Sequence, residues 1–204
     1  LCVNSGQNCN APSRLFIPKE RMTEAEAVVK ATMEKLTVGD PNEEGHYMGP
    51  VVSEVQWKRI QSHIKSGIDS DALLLTGGLG RPDGLETGFY IKPTAFTAVN
   101  NGMSIAQNEI FGPVVCILPY DTDEDAIAMA NDNDYGLSGY VSGADSDRVN
   151  RVASALRAGM IHLNGAQMDR TAPFGGYKHS GNGRERGPQG FEEFLETKAL
   201  LGMQ

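Results

Sequence analysis

The sequence predicts an α/β domain in which helices are layered on a largely parallel sheet. Helical-period segments alternate with short apolar runs along the whole chain, and capping residues, glycines and prolines mark the joints between them. Length agrees: 204 residues suit one compact domain, large enough to bury roughly two-thirds of the surface that its unfolded chain exposes.

Taken in order, Arg14 to Ile17 reads as a strand stopped by Pro18. Thr23-Glu24-Ala25-Glu26 has the form of a capping box, in which a hydroxyl and a carboxyl each take up the other residue's backbone amide. Ala25, Val28, Val29, Met33 and Leu36 follow at helical spacing until Gly39-Asp40-Pro41. Ser53 with Gln56 repeats the capping pattern before Trp57, Ile60, Ile64 and Ile68. Ala72–Thr76, Ala95–Val99 and Val114–Leu118 read as buried strands, the last closed by Pro119. Asp121–Asn131 places its acids early, which favours a helix through its dipole. Gly139–Ser142 is a short strand. Asp145–Ala158 is a helix with Val149, Val152, Ala153 and Leu156 on one face and Gly159 as its C′ stop. Met160–Asn164 is a further strand, and a glycine-rich polar loop runs from Gly165 to Gly187. Phe191, Phe194 and Leu195 mark a short helix before an extended segment, Lys198–Met203.

Composition narrows the function. Eighteen basic against 26 acidic side chains give a net charge of −8, a surface that repels phosphate backbones and argues against a nucleic-acid partner. No run approaches the ~18 to 20 apolar residues of a membrane helix, so no membrane partner is expected. The cysteines at 2, 9 and 116 and the histidines at 46, 63, 162 and 179 form no metal-ligand spacing, so no metal is expected. Three widely spaced thiols suit a reducing, cytoplasmic setting.

Three stretches can carry chemistry. Asn4-Ser5-Gly6-Gln7-Asn8-Cys9-Asn10 surrounds a thiol with amides, a hydroxyl and a glycine, whereas a structural cysteine sits among apolar neighbours. Cys116, within Val114-Val115-Cys116-Ile117-Leu118, reads as core, and Cys2 is uninformative. Asn108-Glu109-Ile110-Phe111-Gly112-Pro113 sets a carboxylate and a ring on a tight connection. That pair suits sugar hydroxyls and a flat heterocycle, and a purely structural turn has the same composition. Pro173-Phe174-Gly175-Gly176-Tyr177-Lys178-His179-Ser180-Gly181-Asn182-Gly183-Arg184-Glu185 has the glycine density of close backbone approach. It lacks the Gly-Lys-Ser/Thr ending of a phosphate-binding loop. Thr76-Gly77-Gly78-Leu79-Gly80 runs into a turn, not a helix, and so fails as a dinucleotide motif. His179 reads as either a general base or a solvated loop residue.

In combination and order these stretches resemble the NAD(P)-dependent aldehyde dehydrogenase superfamily. Gly6-Gln7-Asn8-Cys9 with Ser13-Arg14 is similar to its active-site cysteine signature, Glu109–Val114 to its cofactor-contacting turn, and Pro173–Glu185 to its carboxy-terminal signature. Gly49–Ser53, Gly88–Thr94 and Tyr135–Ser138 resemble weaker family blocks, so the likeness covers essentially the whole chain. The resemblance implies a three-layer catalytic domain over residues 1–196, with 197–204 joining an oligomerisation region as a terminal strand in a homodimer or homotetramer. The family's cofactor-binding domain, its catalytic glutamate and an oxyanion asparagine have no counterpart here. The chain, opening Leu1-Cys2-Val3, is therefore expected to be the catalytic portion of a longer polypeptide and inactive alone.

Residue by residue, the resemblance makes Cys9 the nucleophile, forming first a thiohemiacetal and then a thioester, with its backbone N–H as an oxyanion donor. Glu109 and Phe111 would hold NAD or NADP. Asn8, Asn10, Met168 and Phe174 would line the aldehyde pocket, and Glu185 would relay a proton. Arg170 is read either as recognising a carboxylate on a semialdehyde or as balancing Asp169. Other readings keep the fold and pass the thioester to coenzyme A, make the domain a binding or assembly module, or pair Cys9 with His179 in a hydrolase.

Overall fold

The computed structural model describes residues 1–202. By internal contacts the chain forms two compact units, Leu1–Asn133 and Asp134–Gln204.

In the first unit, β1 (Arg14–Pro18), β2 (Leu73–Thr76), β3 (Thr94–Thr97) and β4 (Val114–Tyr120) form one sheet in the order β1-β4-β3-β2. β4 pairs parallel with both β1 and β3, and β2 joins β3 antiparallel. Because successive strand residues face opposite ways, β4 divides its side chains between two cores. Val114, Cys116 and Leu118 join Phe96, Ile60, Ile64 and Ile105 on one face. Val115 joins Ala95, Met33 and Met48 on the other. The first face is covered by α2 (Glu54–Ile68) and α3 (Ser104–Gln107), the second by α1 (Met22–Glu34), which gives three layers. A nine-residue helix, α4 (Asp123–Asn131), follows β4.

The second unit pairs β5 (Ser138–Val141) parallel with β6 (Met160–Leu163) and adds α5 (Ser146–Ala155) and α6 (Gly187–Glu192). Three of the four strand pairings among the described residues are thus parallel, as the alternating pattern predicts. Among the described residues no helix is long and apolar enough to cross a membrane.

Several local readings need correction. α1 starts one residue before Thr23, from Arg21, with no side-chain cap. A 3₁₀ turn, Lys19–Arg21, feeds straight into it, so Thr23 already lies inside the helix. The Glu26 carboxylate meets the Thr97 hydroxyl of β3 instead of a backbone amide. Ser53 does cap α2, accepting from Gln56 N at 3.3 Å, but the Gln56 side chain leaves the helix end for another task. The full capping box belongs to α4, between Thr122 and Asp125. β2 is an edge strand, not a buried one: Leu73 is 61% exposed, because only β3 flanks it. Pro119 does not stop β4, which runs on to Tyr120 beside β1. α5 ends at Ala155, where Leu156 turns extended, so Gly159 is not its C′ residue. Gly159 instead passes so near another stretch of chain that a Cβ there would lie 1.7 Å from Gly175 O. Residues 198–202 form no strand, and Met203 lies outside the described residues.

Candidate active site

The cysteine loop is built from an uncommon backbone. Asn4, Ser5 and Gly6 all have positive φ (53°, 55° and 73°), a left-handed turn that costs a side-chain-bearing residue about 1–2 kcal/mol. Fixed hydrogen bonds offset that cost. Ser5, buried, donates its hydroxyl to Gly49 O at 2.8 Å, and Val52 N donates to Gln7 Oε1 at 2.9 Å. Val51 N donates in turn to Phe89 O. The two weaker motif blocks, Gly49–Ser53 and Gly88–Thr94, are therefore the bed on which this loop rests.

Gly6 packs against the second motif. A Cβ on Gly6 would stand 2.2 Å from Gly112 C and 2.6 Å from Pro113 N, so the cysteine loop and the Glu109–Pro113 turn touch backbone to backbone. Beyond Gly6 the chain makes a turn, with Ala11 N donating to Asn8 O at 3.0 Å and Asn10 N to Asn8 Oδ1 at 3.4 Å. Cys9 projects from this turn exposed, its Sγ 3.9 Å from Asn8 Oδ1. Arg14 anchors the far side. Its guanidinium donates to Asn101 Oδ1, Met129 O and Ala130 O at 2.9–3.0 Å, taking up carbonyls in the last turn of α4.

Burial separates the three thiols. The pKa of Cys116, wholly enclosed, is pushed up to about 12, with Arg14 opposing the shift. Cys2 is not merely terminal: it is buried beside Met33, donates to Met33 Sδ at 3.7 Å, and burial raises its pKa as well. A thiolate is the nucleophile, and the exposed Cys9 alone escapes such burial.

The second motif is held by α2. Gln56 Nε2 donates to Ile110 O (3.3 Å) and Phe111 O (2.9 Å), and Arg59 Nη2 donates to Glu109 O at 3.1 Å. Three successive carbonyls thus rest on two side chains one helical turn apart. Phe111 itself has a positive φ of 55°, and its half-buried ring follows the buried Ile110. The Glu109 side chain is exposed, and no hydrogen bond or ion pair engages its carboxylate among the described residues. Sequence reasoning misses Gln56 and Arg59 as supports of this turn. Gln56 carries the signal of a capping pattern, and Arg59 carries no local signal.

In the second unit Phe174 and Glu185 form a reciprocal backbone pair, both N–H···O distances being 2.7 Å. This closes the glycine-rich loop at its base. Arg184 donates to Gly176 O and Gly183 O across the loop. Glu185 is exposed, Phe174 half-buried and Met168 exposed. Asp169 gives its carboxylate to the backbone and hydroxyl of Thr171, which holds its pKa below the usual range, and it forms no ion pair with Arg170 among the described residues. His179 is exposed, its backbone N donating to Asp134 O and its ring edge-on to Tyr135.

The arrangement in the first unit offers an accessible thiol fixed by backbone contact to a turn presenting a free carboxylate and a ring. Known proteins resemble the chain throughout. A family model described as the aldehyde dehydrogenase family matches residues 1–200. A 3-succinoylsemialdehyde-pyridine dehydrogenase from a Pseudomonas species is 52% identical over 204 residues, covering 100% of this chain and 43% of that protein. A mutant aldehyde dehydrogenase C from Pseudomonas syringae, complexed with NAD+ and octanal, matches with a TM-score of 0.95 and 48% identity, over 98% of this chain and 41% of that one. A Mycobacterium tuberculosis aldehyde dehydrogenase complexed with NAD+ gives 0.93 and 44%, over 100% and 43%. The chain spans about two-fifths of the length of these relatives. Matched along nearly its whole length by motif, sequence and fold, it belongs to the aldehyde dehydrogenase family.

Proposed function

We propose that this chain is the catalytic portion of an NAD(P)-dependent enzyme that oxidises an aldehyde to a carboxylic acid. The observation that carries the reading is the exposed Cys9, on a loop whose Gly6 abuts the Glu109–Pro113 turn. The Cys9 thiolate adds to the aldehyde carbon, forming a C–S bond and a thiohemiacetal oxyanion. The Cys9 backbone N–H, held in the turn after Asn8, donates to that oxyanion. The thiohemiacetal goes on to the thioester of Cys9, and water then releases the acid, returning the thiol.

The residues present fit a nicotinamide cofactor: Glu109 offers a carboxylate free for ribose hydroxyls, and Phe111 a ring for a flat group, both fixed through their carbonyls by Arg59 and Gln56. When bound, the cofactor supplies the hydride acceptor. Asn8, Asn10, Met168 and Phe174 are proposed to meet the aldehyde, Arg170 to meet any carboxylate on it, and Glu185 to pass a proton during hydrolysis. A reducing, cytoplasmic location and a homo-oligomeric state belong to the same proposal, as does the inactivity of these 204 residues alone, since they span 43% of a relative.

The test is aldehyde oxidation by the polypeptide at the length of its relatives. Cys9→Ser is expected to lower kcat by about a thousandfold or more, on the order seen when a covalent nucleophile is removed, with the fold intact by circular dichroism. Retained activity in Cys9→Ser overturns the mechanism. Robust NADH production by the 204 residues alone overturns the claim that they are incomplete.

A further inference from the structure

The chain holds three Asn-Gly pairs, Asn101-Gly102, Asn164-Gly165 and Asn182-Gly183. In such a pair the glycine nitrogen can reach the asparagine Cγ, because glycine carries no Cβ to hinder the approach. The fold treats the three differently. At Asn101 both reacting groups are occupied. Its Oδ1 accepts from Arg14 Nη1 at 2.9 Å, its Nδ2 donates to Asp132 O and Oδ2 at 3.2 Å, and Gly102 N donates to Asn100 Oδ1 at 2.9 Å. Asn164-Gly165 is exposed, but Asn164 Oδ1 accepts from Gly143 N at 2.8 Å. Asn182-Gly183 is equally exposed, and among the described residues no hydrogen bond engages the Asn182 carboxamide or the Gly183 N–H. The chain just beyond is held. Gly183 O accepts from Arg184 Nη1 at 2.8 Å, and a Cβ on Gly175 would stand 2.4 Å from that oxygen. Arg184 N donates to Glu193 Oε1 at 3.3 Å, and Glu185 pairs with Phe174.

We infer that Asn182 is a site of spontaneous deamidation, and that its isoaspartyl product loosens the closure of the glycine-rich loop. The Gly183 nitrogen gives its proton to solvent base and bonds to Asn182 Cγ, while the Cγ–Nδ2 bond breaks and ammonia leaves. Water then opens the resulting succinimide at either carbonyl, and Gly183 N regains its proton. The sum is one water consumed and one ammonia released, with no oxidant or reductant. Opening at Cγ gives aspartate, which keeps the main-chain length and adds a negative charge. Opening at the main-chain carbonyl gives isoaspartate, which routes the backbone through the side-chain methylene. The chain is then one carbon longer just before Gly183, whose carbonyl already lies in close contact with Gly175. That displacement is passed to the Phe174–Glu185 pair two residues on.

The polypeptide at the length of its relatives is aged in mildly alkaline buffer, and mass-spectrometric peptide mapping follows amide-to-acid conversion at the three pairs. Each hydrogen bond that must break slows the reaction by roughly two- to tenfold. Asn182 is therefore expected to convert roughly two- to tenfold faster than Asn164, with Asn101 slowest. In urea the three rates should converge, since only the fold separates them. Gly183→Ala should abolish conversion at residue 182 and leave Asn164 unchanged. Its Cβ would meet only the Glu193 carboxyl group, at 3.5 Å or more, so the fold tolerates it. Amide hydrogen exchange reads the loop: Phe174 and Glu185 N–H should exchange faster in the aged protein, in which isoaspartate accumulates. Asn182→Asp, which adds the charge without lengthening the chain, should leave them protected. Conversion of Asn182 no faster than that of Asn164, or the same order of rates in urea, overturns the site. Unchanged exchange at Phe174 and Glu185 after ageing, or equal loss of protection in Asn182→Asp, overturns the effect on the loop.

Discussion

Gly6→Ala places a methyl group at the joint between the cysteine loop and the Glu109–Pro113 turn. Two costs add there. The φ of 73° is unfavourable for any residue with a Cβ, by about 1–2 kcal/mol. The new Cβ would also meet Gly112 C at 2.2 Å, Gly112 O at 2.3 Å and Pro113 N at 2.6 Å, all backbone atoms that no rotamer change can withdraw. Overpacking of that kind costs about 1–3 kcal/mol, so the total is about 2–5 kcal/mol. At about 2–4 °C per kcal/mol for a chain of this size, Tm should fall by about 4–20 °C.

Two further glycines separate the contributions. Gly45 has φ 94° and nothing within 4 Å of where a methyl group would sit, so Gly45→Ala isolates the backbone cost, about 1–2 kcal/mol. At Gly112 a Cβ would meet Ile60 side-chain carbons at 2.6–3.1 Å with φ outside the left-handed region, so Gly112→Ala isolates packing against a group able to shift. Urea unfolding followed by the fluorescence of Trp57, the single tryptophan, which lies at the start of α2 and donates to Tyr90 O, reads the first unit directly. The expected order of loss is Gly6, then Gly112, then Gly45. If Gly6→Ala costs no more than Gly45→Ala, the cysteine loop does not rest on the turn and the reasoning fails.

Thiol chemistry gives a further prediction: a mild alkylating agent should modify Cys9 first, with Cys2 and Cys116 reacting only on unfolding, and faster labelling of Cys116 would remove Cys9 as the nucleophile. Stability should also depend on His63, whose pKa is lowered from the ordinary 6.5 chiefly by burial and further by Arg59. The unfolded chain then binds the extra proton first, so this contribution is complete above pH 6.5 and is lost as pH falls toward the folded pKa. The urea midpoint should drop between about pH 7.5 and 5.5; a His63→Gln variant with an equally steep drop would refute this origin.

The sequence by itself determined much of this protein. Periodicity located most helices and strands, because apolar spacing of 3.6 or 2 is a local consequence of burying one face. It missed the one-turn α3 and set the last helix too late, on Phe194 and Leu195, which lie beyond α6 and are exposed. The Cys9, Glu109 and Pro173–Glu185 motifs identified the family, because their residue types and order survive without coordinates. Tertiary structure decided what touches what. Thr23 and Gln56 both carried a legible capping pattern, yet Thr23 lies inside α1 and Gln56 turns to the carbonyls of Ile110 and Phe111. Ala72–Thr76 had the composition of a buried strand and became an edge, since strand order is not written in any one strand. The glycine count signalled close approach without naming a partner. Only the fold shows that Gly6 faces Gly112 and Gly159 faces Gly175, because a missing side chain records that space was needed and nothing about which backbone fills it.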